Sequence, residues 1–484
     1  MQNNRNSLMI KLLVSAMSLL NLTLSATDLN QVRQAGLHVV EITTIDGEEP
    51  QGQIITKPDN PNNHNMTYLN KVPCRVVITL GEETLYDSGP YQKKASGATI
   101  RINGNTTAYY SNPLNMPYNL KLEKAADLLC RNNDDKFKDK NWRLLKDAVS
   151  LNTIVGLKLS QIMEIEWTSA YVPCNVIING DYRGCYLLME NVKRNELCRI
   201  NCDSESGYIV EKDPYWWKEN LYFNSLWYTD ESIYRWTWKY PDEDDVTEAQ
   251  ETYIKQYIEN MEQSLSEGNY EQFIDITSFA KWLLSHDILG TRDAGGSNMY
   301  IKKFDETNNS RLELPCLWDF DSSYEVAPGS FSRLHTLSNE YFYALMNSSN
   351  RAFATAYVTL WNKEKERIVS QLTDFINAYA ISDEAKALEV SRKLYNERFG
   401  YMYGSVSNDI KSTLQWLEKH IEALDNQIQL IEISSTGIEQ PITNNKKYKE
   451  QKFYRIDGVE IDRPVKHGIT IYRNSNGKSI KISN

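Results

Sequence analysis

The chain has 484 residues, enough for one large two-part domain or two or three smaller ones. With 41% apolar and 24% charged residues it reads as globular, and a net charge of −11 excludes the basic footprint of a nucleic-acid binder. Its 30 Tyr and 11 Trp suit an aromatic core or a carbohydrate- or peptide-facing surface.

Residues 1–26 read as a secretory signal peptide. Arg5 and Lys11 supply positive charge, and Leu12–Ala26 is apolar and small, ending Leu24-Ser25-Ala26 before Thr27-Asp28. The run is too short to span a membrane well, and no other run of that kind follows. The expectation is a secreted, cell-surface or periplasmic protein, soluble after cleavage, with no transmembrane segment. Residues 27–95 read as an N-terminal β-rich extension, with strand-like Leu37–Ile42 and Arg75–Thr79 and a loop over Lys57–Asn65.

In residues 96–192, Thr99–Asn103 is strand-like and Tyr118–Leu122 alternates as a strand. Leu151–Met163 has helical spacing. Val172–Ile178 and Gly184–Glu190 form a hairpin about Asn179-Gly180. Pairing across that turn sets Cys174 opposite Cys185, at a wide hydrogen-bonded pair where a bridge would be strained, so none is expected there. Seven Cys in this length make no disulfide scaffold, and Cys198-x3-Cys202 lacks the further ligands of a zinc site.

Trp216, Trp217, Trp227, Trp236 and Trp238 read as a hairpin with aromatic cross-strand pairs, the sharper alternative being a glycan- or peptide-binding face. Helices are expected over Glu248–Glu267, over Phe279–Leu289 behind an Asp275 cap, and over Glu340–Met346, Ala352–Ala378, Asp383–Arg398 and Ser405–Ile433. Residues 434–484 read as a polar linker and short β-segments.

The chemistry gathers in Thr291-Arg292-Asp293-Ala294-Gly295-Gly296-Ser297-Asn298 and Trp318-Asp319-Phe320-Asp321. The pattern is R-D-x4-N, two β-like segments able to form a hairpin, then D-F-D. Either motif alone arises by chance in many chains. Protein kinases use these parts in this order, the Asp for the acceptor hydroxyl and the Asn and second Asp for metal. Mg²⁺ suits such oxygen donors because it binds through few protein groups plus phosphates. On that pattern Asp293 is the catalytic residue, Asn298 and Asp319 hold metal, and Asp321 is either a second ligand or only a turn residue, the latter being the preferred reading. Lys121 stands on a strand before a helix, where a kinase lysine meets the α/β-phosphates. Glu190 and Val192 stand where the hinge backbone meets adenine.

At these residues, and at Val176-Ile177-Ile178-Asn179-Gly180-Asp181-Tyr182-Arg183-Gly184-Cys185-Tyr186-Leu187-Leu188-Met189-Glu190, the chain resembles the CotH family of secreted and spore-coat kinases over about residues 96–430. The resemblance implies an α+β, atypical protein-kinase-like two-lobed fold. A β-rich N-lobe would span 96–192, a helical C-lobe 193–433 and a small β tail 434–484. It also implies ATP and Mg²⁺ (or Mn²⁺) as cofactors, and an extracytoplasmic protein with a Ser or Thr acceptor as substrate. Two departures stand out. Asn103 occupies the place of the family Arg in R-G-N-[ST], and Glu164 is a weak partner for Lys121. The missing Arg, the Trp-rich segment and the C-terminal tail motivate the alternative of a catalytically silent cell-surface protein with a glycan or protein partner. A glycoside hydrolase using Asp293 and Asp319 ranks below both, because it leaves Asn298 without a purpose. The segment from Phe453 resembles the sorting or attachment tails of exported Bacteroidetes proteins.

Overall fold

The computed structural model describes residues 28–131, 135–146, 151–325, 327–328 and 339–431, together with strand segments 452–455, 460–461, 469–473 and 479–483. Residues 1–26, expected as a signal peptide, lie outside the described residues. The chain divides into two units, residues 1–434 and 435–484, and its content is α+β.

The described part of the first unit begins with helix α1 (Leu29–Gln34), capped by Asp28, followed by a closed barrel. In chain order the strands are β1 (His38–Thr44), β2 (Gly52–Lys57), β3 (Asn60–Tyr68), β4 (Val72–Leu80), β5 (Glu83–Asp87), β6 (Ala98–Ile102), β7 (Tyr118–Ala126), β8 (Asp139–Leu145), β9 (Tyr171–Ile178) and β10 (Asp181–Glu190). Seven of them close the ring β1-β9-β10-β8-β7-β6-β4 back to β1, with β5 added at β4. Alternation explains the closure. Val40 and Ile42, Val76 and Ile78, Ile100 and Ile102, Leu120 and Leu122, and Trp142 and Leu144 fill one interior, and intervening residues face outward.

Residues 27–95 therefore do not form an extension. Strands β1 and β4 belong to the barrel, β1 pairing antiparallel with β4 and parallel with β9. The segment Lys57–Asn65, expected as a loop, is part of a ribbon in which β2 pairs with β3. Its Asn- and Pro-rich composition reads as a loop, but ladder bonds and the burial of Asn65 hold it extended.

The β9–β10 hairpin turns at Asn179 (φ 52°) and Gly180 (φ 78°), the two left-handed positions of a tight primed turn. Asp181 pairs with Ile178 and Tyr182 with Ile177, but Gly184 pairs with Val176, so Arg183 is a bulge residue. Gly184 takes φ 113°, and a Cβ there would lie 2.8 Å from Tyr395. The bulge shifts the register by one. Cys185 opposes Asn175 and Tyr186 opposes Cys174. The expectation that Cys174 faces Cys185 is thus wrong: Cys174 enters the barrel core, while Cys185 packs against the helices. All seven Cys are free. A reductant should leave the melting temperature of the purified protein unchanged, whereas a fall would reveal a bridge.

Helix α2 (Asn152–Ile162) is inserted between β8 and β9, and a five-stranded sheet follows the barrel. That sheet runs in the order β12 (Tyr222–Phe223), β13 (Arg235–Tyr240), β11 (Tyr208–Asp213), β14 (Met299–Lys303), β15 (Leu312–Glu313). The Trp-rich stretch supplies its core: Trp236 and Trp238 are buried, and Arg235 stacks on Trp216 at 3.6 Å from the ring centroid. The helices are α3 (Glu248–Glu267), α4 (Ile276–Leu289), α5 (Glu340–Asn347), α6 (Ala352–Ala380), α7 (Asp383–Phe399) and α8 (Val406–Ile428). Local chemistry starts them. Thr247 and Gln250 form a capping box on α3, and the Asp275 carboxylate accepts from Ser278 N–H at 2.7 Å. Helix α7 covers the outer face of β9–β10 through Asn175 to Ser391 (3.0 Å) and Arg398 to Asp181 (2.9 Å). No helix among the described residues is long and apolar enough to cross a membrane.

The second unit, by itself, is a four-stranded antiparallel sheet of Lys452–Arg455, Glu460–Ile461, Ile469–Arg473 and Ser479–Ser483.

Candidate functional site

Helix α4 ends at Gly290, in the left-handed region at φ 61°, and hands the chain to buried Thr291 and a tight turn over Arg292–Gly295. Within the turn, the N–H groups of Gly296 and Ser297 both donate to the Asp293 carbonyl, at 3.0 and 3.2 Å. Strand β14 starts directly after Asn298 and pairs with β15 through Lys302–Glu313 and Lys303–Leu312. The return segment is held by Trp282 Nε1 donating to Cys316 O (3.2 Å) and Trp167 N–H donating to Pro315 O (2.9 Å). This hairpin lays Trp318–Asp321 beside Thr291–Asn298.

The two stretches are sewn together. Asn298 Nδ2 donates to Asp319 Oδ2 at 3.0 Å. Asp293 N–H donates to Ser322 Oγ at 3.1 Å, and the hydroxyls of Thr291 and Ser323 are 3.1 Å apart. Asn298 and Asp319 have φ of 60° and 61°, a left-handed conformation that non-glycine residues adopt only when their surroundings enforce it. Phe320 is the anchor. Its ring is buried against α2 at Gly156, where a Cβ would fall 2.3 Å from the ring.

Asp293 lies at the surface, with Arg292 Nε 3.6 Å from its carboxylate. Asp321 also opens to solvent, yet crowding by protein, then the charge of Asp293, pushes its carboxyl above the usual range. The expectation of a passive turn residue therefore understates it: Asp321 and Asp293 share one electrostatic neighbourhood.

A buried cation that feels the charge of Asp319 is one that sequence reasoning missed. Arg143 projects from the outer face of β8, 5.0 Å over the Trp318 ring, and Trp318 stacks on Trp167. Burial lowers its pKa, while Tyr300, Asp319 and Glu211 pull it back up. With the Asn103 amide turned to meet its donors, Asn103 Oδ1 accepts from Arg143 Nη2 at 3.2 Å. The signal was the alternation Trp142-Arg143-Leu144 in a strand the sequence reading left unassigned. Glu211, equally missed, faces Lys239 at 2.8 Å. Close by, Asp213 accepts from Tyr215 N–H at 2.7 Å, and burial, then Glu211, raises its carboxyl to about 7.

That raised value has a consequence for stability. The unfolded Asp213 loses its proton near the ordinary carboxyl value of 3.8, whereas the folded one keeps it to about 7, so between those values the folded state binds more protons. Stability contributed here is present below the lower value and lost as pH rises through the upper one. Urea unfolding should therefore show Asp213→Asn less sensitive than the parent to a rise from acidic to neutral pH. Parallel curves would refute this.

The other expected residues lie elsewhere. Lys121 is exposed on the outer face of β7, opposite Thr99 and Asn141. Its candidate partner Glu164 stands 3.7 Å from Lys281. Glu190 is buried, receiving Arg131 Nη2 at 2.9 Å and Ala170 N–H at 3.1 Å. Its own N–H donates to Ala170 O, and its carbonyl accepts from Ser169 Oγ at 3.0 Å. Asn191 O accepts from Arg199, and Val192 packs into the core. The backbone at 190–191 is thus engaged within the protein. Depressions of about 690 Å³ on α3 and about 350 Å³ beside Arg131 lie apart from the Asp–Asn pair.

Among the described residues no group of three or more His, Cys, Asp or Glu is placed to hold a metal. The donor set fits a hard cation nonetheless, since Mg²⁺ takes one or two carboxylates and completes its shell with water and phosphate. Asp319 and the amide oxygen of Asn298 are donors of that kind.

The fold and site define an α+β protein in which a barrel and a helical region carry an Asp–Asn pair held by a β-hairpin. A family model described as CotH kinase protein matches residues 135–424, more than half of the chain, which belongs to the CotH family. Lys121 and Asn103 precede the matched region, and Arg143, Asp293, Asn298 and Asp319 lie inside it. No curated protein matches the chain in sequence.

Proposed function

We propose that this protein is an exported Ser/Thr protein kinase, with the barrel and helical regions as the two lobes of an atypical kinase-like fold. It transfers the γ-phosphate of ATP to extracytoplasmic proteins. The observation that carries this reading is the joining of the Asp293 loop to Trp318–Asp321 through the Asn298–Asp319 bond and the Ser322 and Thr291 hydroxyls.

Asp319 and Asn298 would hold Mg²⁺ or Mn²⁺, which when bound neutralises phosphate charge. Asp293, at the surface, orients the acceptor hydroxyl and takes its proton. Asp321 shares the electrostatic neighbourhood of Asp293. Arg143 balances Asp319 from the barrel side, and Lys121, two residues from Asn119 on the same outward face, is a second cation for the phosphates. Glu190 and Val192 shape the adenine end through the 190–192 segment. Residues 1–26 direct export, and the C-terminal sheet serves attachment.

A second reading, a silent surface-binding protein on this scaffold, is favoured by one observation: the Glu190 and Asn191 backbone groups already have protein partners. The deciding experiment is ATP-dependent phosphotransfer by residues 27–484 with Mg²⁺ or Mn²⁺, beside Asp293→Ala and Asp319→Ala. Label incorporation lost in both variants supports the kinase. No incorporation, with no nucleotide-induced rise in melting temperature, supports the silent protein.

A further inference from the structure

Lys212 is a fully buried lysine that the proposed mechanism leaves unused. Burying an ammonium is costly unless it is paired and hydrogen-bonded, so its partners indicate its purpose. It stands on β11 between Met299 of β14 and Trp236 of β13. Its Nζ donates to Gly295 O at 3.2 Å and to Glu340 Oε2 at 3.1 Å, and it lies 4.3 Å from the Tyr234 ring centroid. Tyr228 OH donates to the same Glu340 oxygen at 3.2 Å. The Gly295 carbonyl accepts a second bond, from Asn339 Nδ2 at 3.0 Å. Gly296 packs under Tyr234, where a Cβ would fall 2.4 Å from the hydroxyl.

Gly295 closes the turn whose next two N–H groups bond the Asp293 carbonyl. Fixing the Gly295 carbonyl therefore fixes the direction of Asp293. We infer that Lys212, with Asn339, is a positioning residue: together they clamp the Asp293 loop to the start of α5. The inference rests on the kinase reading for its effect on rate and on geometry alone for its effect on the loop.

The test uses Lys212→Met, which keeps bulk but no donor, Lys212→Arg, which restores charge and donors, and Asn339→Asp. The last keeps the helix cap, since Asn339 Oδ1 accepts from Tyr341 and Phe342 N–H, but removes the donor to Gly295. Lys212→Met should lower kcat by about a hundredfold, the scale of a misplaced catalytic group, with KM for ATP and the nucleotide-induced melting shift retained. Lys212→Arg should recover part of the loss, and Asn339→Asp should show a smaller loss of the same kind. Hydrogen exchange should quicken at Gly296 and Ser297 in Lys212→Met and Asn339→Asp, with β11 and α4 protected as in the parent. If the parent transfers no phosphate, the kinase reading falls and exchange at Gly296 and Ser297 alone decides the clamp. Unchanged exchange at those amides, or a loss of kcat that tracks a general loss of protection and nucleotide binding, overturns the inference.

Discussion

Asp319→Ala should lower phosphotransfer by about three orders of magnitude or more, because charge neutralisation and positioning supply most of the rate in this chemistry. The variant loses a carboxylate donor and the acceptor that holds the Asn298 amide at 3.0 Å. Asp319→Asn keeps the shape but removes the charge facing Arg143, and should fall nearly as far. Asp319→Gly fits the left-handed backbone at φ 61° but loses the same carboxylate, so it should be as inactive as Asp319→Ala. A single-turnover assay on the three variants measures the effect. A transfer rate within threefold of the parent would falsify the assignment of Asp319.

The second large effect is expected from a purely apolar contact. Gly156→Ala adds one methyl group to α2, directed at Phe320, whose ring atoms would lie 2.3 to 2.6 Å from it. Helix propensity favours Ala by about 1 kcal/mol, but overpacking a filled core costs about 1–3 kcal/mol, so the net change should be destabilising. The larger consequence is positional. Phe320 lies between Asp319 and Asp321, and a displacement of about 1 Å there should cost about a hundredfold in rate. Phe320→Leu in the Gly156→Ala background makes room for the methyl group and should restore part of both losses. A Gly156→Ala protein with parental rate and melting temperature would mean that α2 yields instead and Phe320 is not the anchor.

Much of this molecule was readable before folding because its signals are local. The Asp275 cap, the period of α3, α6 and α7, and the Asn179-Gly180 turn depend on neighbours a few residues away. The order of Asp293, Asn298 and Asp319 was legible too, because the intervening hairpin is short. The polar strand β3 was missed because composition outweighed pairing, and β8 because it was not assigned at all, which hid Arg143 on its outer face. Asp321 was underrated because the crowding that raises its pKa comes from tertiary packing.

The sequence by itself determined helices α2 to α8, the turn of the β9–β10 hairpin and the pieces of the Asp–Asn motif, since each is set by contacts within a few residues. Tertiary structure decided where the barrel closes, because β1 pairs in parallel with β9 across more than a hundred residues, and such pairing leaves no local trace. It decided the one-residue bulge at Arg183 that parts Cys174 from Cys185, since packing against Asn115 and Tyr395 requires it there. It also decided the left-handed Asn298 and Asp319 and the buried Lys212, because strain and buried charge persist only where the surrounding fold holds them.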